Sequence, residues 1–213
     1  MTAIRIYLSY QTSYRDVEEI LKEQGIVVDH TTIYRWVIKY VPRLLHKFRK
    51  YKLKVGESWY LDETYIKVGG IDHFLYRAVD SKGCTIDFKL YTKRNKSAAK
   101  RYLNHAIKNN RRPKKVNIDG SLANKAGIKK YNNKNNTDIK ITKIKYINNI
   151  VEQDHRKIKR KIKSVQTFKK ISTAQITLAG IEMVNMLKKG QAFIGSLFVK
   201  DFIDEFHELA YLK

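Results

Sequence analysis

Residues Trp59 to Val68 read WYLDETYIKV, a run of aromatic and β-branched side chains that suits a pleated, half-buried strand. Asp62 sits in its interior, where aspartate is disfavoured. Gly69-Gly70 supplies a turn, His73 to Asp80 (HFLYRAVD) answers it, and Ser81-Lys82-Gly83 turns the chain again. Thr85 to Thr92 then sets Ile86, Phe88 and Leu90 against Asp87, Lys89 and Tyr91 in clean alternation. The pattern predicts a three-stranded antiparallel meander.

Working outward towards the C-terminus, the periodicity predicts a helix over Lys96 to Asn109 and a short strand Lys115 to Ile118. A helix from Leu122 to Tyr131, a strand Asp138 to Thr142 and a long helix Asn148 to Ser164 follow. The Asn/Lys cluster from Lys130 to Asn136 reads as an exposed loop. Three antiparallel strands followed by α-β-α-β-α is the order of elements in a ribonuclease H-like fold. The fold class is therefore α+β, a five-stranded mixed sheet flanked by helices.

Towards the N-terminus, Ser13 precedes a helical pattern with Val17, Ile20 and Leu21 on one face, and Gly25 closes it. Asp29 stands where an N-cap belongs. The helix after it, His30 to Tyr40, buries Ile33, Val37 and Tyr40, turns Thr31, Thr32, Tyr34, Arg35 and Lys39 outward, and ends at Pro42. Two short helices joined by a glycine-containing turn, the second bearing hydroxyls and an arginine near its start, suit a helix-turn-helix that reads DNA. A plain helical hairpin has the same pattern. The chain thus divides into a helical region 1–50, a sheet-containing domain 57–192 and a tail 193–213. Apolar residues of that tail alternate with Asp201, Asp204, Glu205 and Glu208, which fits either a helix docking a second subunit or one packed on its own domain.

Composition narrows the partners. The 213 residues hold 44 Lys+Arg against 20 Asp+Glu, a net charge of +24, with 43% hydrophobic residues to build a core. Such a chain is matched to a polyanion, nucleic acid first of all. One cysteine, Cys84, excludes a disulfide framework and a cysteine-built zinc cluster, and fits a reducing cytoplasm. No apolar run approaches the roughly 20 residues of a membrane helix. Met1 to Tyr10 lacks the pattern of a signal peptide.

Lys89 to Ile118 contains eleven basic residues and no acid, and His155 to Lys170 eight more, again with no acid. Carboxylates set against such stretches need a reason. Asp62 lies inside the first strand, Asp119 ends the strand Val116-Asn117-Ile118, and Glu152 lies in the first turn of the long helix. With the first and fourth strands as parallel neighbours, Asp62 and Asp119 sit side by side and Glu152 reaches them from the helix. Magnesium prefers hard oxygen ligands, and two such ions clamp the attacking and leaving oxygens of a displacement at phosphorus. Each residue also has an ordinary reading: Asp62 as a strand partner of a lysine, Asp119-Gly120 as a turn, Glu152 as a complement to the helix dipole. Asp80 reads as a turn residue. Asp154 competes with Glu152 but lies about 200° away around the helix. Glu152, Arg156, Lys159 and Lys163 form one stripe, beside an apolar-leaning one of Val151, His155, Ile158, Ile162 and Val165. His155 reads as a packing or phosphate-contact residue.

Four blocks together carry a resemblance: Asp29-His30-Thr31-Thr32-Ile33-Tyr34-Arg35-Trp36, Asp62-Glu63-Thr64-Tyr65-Ile66-Lys67, Tyr76-Arg77-Ala78-Val79-Asp80 and Asn148-Asn149-Ile150-Val151-Glu152-Gln153-Asp154-His155. In this order, and extending through Gly180-Ile181-Glu182, they resemble the DDE transposases of the bacterial insertion-sequence-six family. The resemblance implies a ribonuclease H-like catalytic domain behind a helix-turn-helix that recognises terminal inverted repeats. It places the catalytic, metal-binding carboxylates at Asp62, Asp119 and Glu152, and the family's downstream basic residue at Lys159. It further implies Mg²⁺ or Mn²⁺, as two ions, hydrolysis of a strand at the element end and attack of the freed 3′-hydroxyl on target DNA. A homodimer or larger assembly would join two ends. Gly120-Ser121-Leu122 stands where many members have Lys/Gln-Ala-Pro, and the chain begins almost at the helix-turn-helix, as a shortened copy would. A DNA-binding protein without catalysis, either a regulator or a decayed transposase, is the other reading of the same residues.

Overall fold

The structure, a computed structural model, describes residues 1–144, 149–165, 168–193 and 201–211, with the backbone alone at 149–152 and 157. The chain forms two compact units, Lys54–Arg156 and Met1–Leu53 with Lys157–Lys213.

In the first of these, β1 (Ser58–Val68), β2 (Ile71–Asp80) and β3 (Thr85–Tyr91) make the meander. Gly69 and Gly70 close the first hairpin at φ of 58° and 80°, the positive values its tight turn requires. Helix α4 (Lys96–Asn109) leads to β4 (Lys115–Ile118), and α5 (Leu122–Asn135) to β5 (Lys140–Thr142). The sheet order is β3-β2-β1-β4-β5. The strands β1, β2 and β3 pair antiparallel, whereas β4 runs parallel to both β1 and β5. This is the ribonuclease H-like arrangement that the order of elements predicts. Trp59, Leu61, Tyr76, Ala78 and Ile86 pack against Ala98, Tyr102, Leu103 and Ala106 of α4 and against Ile128 and Tyr131 of α5.

The two helices approach closely at Gly127. A Cβ built there lies 2.8 Å from Ala99 Cβ and 3.0 Å from the backbone nitrogen of Lys100. Gly127→Ala is therefore expected to destabilise the protein. Overpacking of about 1–3 kcal/mol outweighs the helix-propensity gain of about 1 kcal/mol. Urea unfolding of the variant checks this, and a stabilised variant contradicts it.

The Asn/Lys cluster is helix rather than loop as far as Asn135. Tyr131 is buried within it, and Asn136, at φ 48°, takes the left-handed conformation that ends the helix. The Asn132 side chain then binds Thr137 Oγ1, Ile139 N and Ile139 O, which fixes the turn into β5. Asp80 is more than a turn residue. It is buried, and its carboxylate accepts from the amides of Gly56, Lys82 and Cys84.

The other unit holds α1 (Thr2–Ser9), α2 (Tyr14–Glu23) and α3 (His30–Tyr51), the end of α6 (Asn149–Ser164), and α7 (Ile171–Lys188) with α8 (Phe202–Tyr211). Ser13 and Asp16 form a capping box, and Asp29 caps α3 by accepting from Thr31 N at 2.8 Å. Helix α3 does not stop at Pro42. Val41, Leu44 and Phe48 continue its buried face, while Pro42 is exposed, where water can take the carbonyl that the missing N–H leaves open. Tyr40 is half-buried rather than buried.

The boundary between the two compact units falls within α6, and α7 packs on α1 and α3. At Gly180 a Cβ would come within 2.8 Å of Leu8 and 3.1 Å of Val41, so the absence of a side chain sets that helix spacing. In the tail, α8 buries Phe206 and Leu209 inside its own unit.

Candidate functional site

The β1–β4 pairing ends at Leu61↔Ile118, so Asp62 and Asp119 are the next residues at the carboxyl ends of two parallel neighbours. One carboxylate oxygen each from Asp62, Glu63 and Asp119 lies within 4.8 Å of the other two. Two oxygens on a single Mg²⁺ stand at most about 4.2 Å apart, twice a bond of about 2.1 Å, so a cluster of this size is on the scale that one divalent ion spans. The two aspartates that the sequence analysis singles out are thus brought together, with hard oxygen donors that fit a divalent ion.

Both oxygens of Asp62 are engaged. Oδ1 accepts from the Glu63 amide at 2.8 Å, and Oδ2 lies 3.2 Å from Nδ1 of His155, whose side chain is 4% exposed. Burial raises the Asp62 pKa. The His155 hydrogen bond and the attraction of that ring, with the Glu63 amide and Arg94, overcome it and hold the carboxyl below its ordinary range. His155 is buried, as the packing reading expects, and its ring also faces the Asp62 carboxylate. Asp119 is exposed. Its Oδ1 accepts from Ser121 N at 3.1 Å, and Oδ2 lies 3.8 Å from Arg94. Gly120, at φ 98°, makes the turn that lets Ser121 cap α5.

Two pairings were not foreseen from the sequence: Glu63 with Arg94, and Arg77 with Asp154. Glu63 has a side chain only 3% exposed, with Oε2 3.3 Å from Arg94. Burial pushes its carboxyl up to about 7, against the pull of Arg94. Arg77, directly opposite Asp62 in the β1–β2 register, is fully buried and donates to Asp154 Oδ2 at 2.6 Å. An arginine in the middle of an otherwise apolar strand is the signal that announces such a pair. Asp154, a bland competitor by helical angle alone, is its buried counter-charge.

Glu152 lies on the first part of α6, and its side chain is outside the described residues. Asn148 and the start of the helix predicted there are outside them too. Arg156, Lys159 and Lys163 are exposed on α6. Lys161 in the same basic stretch turns inward. It is 5% exposed, bonds Thr12 O at 2.8 Å and sits 4.1 Å above the Tyr7 ring, and burial lowers its pKa to about 7.

On α3, Arg35 and Lys39 are exposed, and Tyr34 is exposed with its ring edge-on to Tyr14. The hydroxyls of Thr31 and Thr32 turn back to Asp29, at 2.6 and 3.5 Å. No described helix is long and apolar enough to cross a membrane.

The chain matches the family model for the DDE domain of IS240-type transposases over residues 56–191. It is similar to the transposase for insertion sequence-like element IS431mec of Staphylococcus aureus, 41% identical over 196 residues that cover 88% of this chain and 83% of that one. The transposase for insertion sequence element IS257 in transposon Tn4003, also from Staphylococcus aureus, is 40% identical over the same coverage. Among solved structures, the HTLV-2 integrase catalytic core domain in complex with magnesium aligns with a TM-score of 0.49 and 16% identity, over 63% of this chain and 88% of that one.

Proposed function

This chain belongs to the insertion-sequence-six family of DDE transposases, and we propose that it works through Asp62, Asp119 and Glu152. It is a DNA-cleaving and strand-transferring enzyme that depends on a divalent metal. The observation that carries the site assignment is the approach of Asp62 and Asp119 across parallel strands. Mg²⁺ or Mn²⁺, as two ions, is the cofactor that these hard oxygens suit. Bound there, the ions supply Lewis-acid stabilisation of the phosphoryl oxygens and activation of the attacking hydroxyl.

The chain's own residues prepare that chemistry. His155 and the Glu63 amide orient Asp62 and keep it anionic, and Ser121 N with Arg94 orients Asp119. Glu152 precedes His155 by three residues, a spacing that puts two helical positions on one face. The His155–Asp62 contact supports Glu152, one helical turn earlier on α6, as the third carboxylate. Arg156, Lys159 and Lys163 hold phosphates along the helix, while Thr31, Thr32, Tyr34, Arg35 and Lys39 read the terminal inverted repeats from α3. Two copies of the chain, or more, join the element ends before the 3′-hydroxyl attacks target DNA.

The purified chain, incubated with Mg²⁺ and a duplex carrying its flanking repeats, is expected to leave a nick with a 3′-hydroxyl at the repeat boundary. Binding without cleavage in either Mg²⁺ or Mn²⁺ would instead support the non-catalytic DNA-binding reading.

A further inference from the structure

We propose that Glu63 and Arg94 are positioning residues: Arg94, anchored by Glu63, orients Asp119 as His155 orients Asp62. This role presupposes the reading above, in which both aspartates bind metal.

The two aspartates are held in parallel ways. Each takes one hydrogen bond from a backbone amide just downstream, Glu63 N for Asp62 and Ser121 N for Asp119. Each has its other oxygen facing a side-chain nitrogen, His155 Nδ1 at 3.2 Å and the Arg94 guanidinium at 3.8 Å. Ligating carboxylates are commonly fixed by such outer partners, and the loss of one weakens metal binding. His155 is itself secured by burial on α6. Arg94 has no such support, since it lies in the exposed segment between β3 and α4 and its side chain is 36% exposed. Glu63 is the nearer of its two carboxylate neighbours, and the Tyr65 side chain bonds Arg94 as well.

Glu63 lies close enough to be mistaken for a third ligand, because its oxygen falls within the same 4.8 Å cluster. Three features set it apart. Strand alternation directs it to the face opposite Asp62. Its side chain is almost wholly buried, away from the solvent side on which DNA must arrive. Its Oε2 already faces Arg94 at 3.3 Å, nearer than Arg94 stands to Asp119. The shorter contact ties the guanidinium to Glu63 first, and from there the same nitrogen faces Asp119.

The test is Mn²⁺ binding by the full chain, measured by electron paramagnetic resonance, in Arg94→Ala, Glu63→Gln and the double variant. Metal-free thermal unfolding and gel-shift binding of a terminal-repeat duplex are measured in parallel. Each single variant is expected to bind Mn²⁺ about 10- to 100-fold more weakly, with its unfolding midpoint and DNA binding retained. The double variant is expected to be no weaker than the worse single, because the two residues act in series. Unchanged or tighter Mn²⁺ binding by Arg94→Ala overturns the proposal, for Arg94 would then merely compete with the ion. Losses that add in the double variant also overturn it, since Glu63 would then be acting as a ligand itself. Asp62→Asn, run alongside, separates the two levels. If it binds Mn²⁺ like the parent, the metal-site reading fails too; if it loses the ion while Arg94→Ala does not, only the positioning role fails.

Discussion

Asp62→Asn is expected to abolish metal-dependent nicking of a terminal-repeat duplex while leaving binding of that duplex nearly intact. The substitution keeps the size of the side chain and an oxygen for the His155 contact, and removes only the anionic charge. An ion bound by fewer anionic ligands stabilises the phosphoryl transition state less. A loss of several kcal/mol corresponds to a rate about a thousandfold lower or worse. DNA affinity comes chiefly from Lys and Arg contacts to phosphate, which the change leaves alone. Single-turnover nicking and gel shift, run on one preparation, check both halves. Nicking at the parental rate would remove Asp62 from the chemistry.

The second large effect concerns stability. Asp154→Ala leaves the guanidinium of Arg77 buried at 0% exposure without the carboxylate 2.6 Å away. Breaking a buried pair from one side typically costs about 3–5 kcal/mol. Domains as a rule have only about 5–15 kcal/mol to lose. Urea unfolding of Asp154→Ala is therefore expected to show a much lowered midpoint. The joint change Arg77→Met with Asp154→Leu removes both charges and fills the space, and is expected to recover much of the loss. A single variant within about 1 kcal/mol of the parent would mean that the pair behaves as a solvent-screened surface contact.

Much of this architecture was legible from residue order. The WYLDETYIKV run, its glycine turn and the alternation after Thr85 identify the meander, because a half-buried sheet imposes a period of two on its own sequence. The adjacency of Asp62 and Asp119 follows once β1 and β4 are parallel neighbours. Local rules failed where tertiary burial overrode them. Pro42 lies inside α3 because Val41, Leu44 and Phe48 still have a core to fill, and the asparagines after Lys130 stay helical around buried Tyr131. The partners of the carboxylates were the hardest to foresee. Arg94 and Glu63 are 31 positions apart in the chain, and Arg77 and Asp154 are 77 apart. Periodicity says nothing about pairs that only three-dimensional folding brings together. Lys161 shows the same limit from the other side, a cation in a basic run whose amine faces Tyr7 and Thr12 instead of phosphate.

Crystals of the chain soaked in Mn²⁺, with anomalous differences collected at the manganese edge, address the central claim most directly. A peak ligated by Asp62 and Asp119, with the Glu152 carboxylate closing the shell, is the predicted result. Manganese bound elsewhere, with both aspartates ligating nothing, would contradict it.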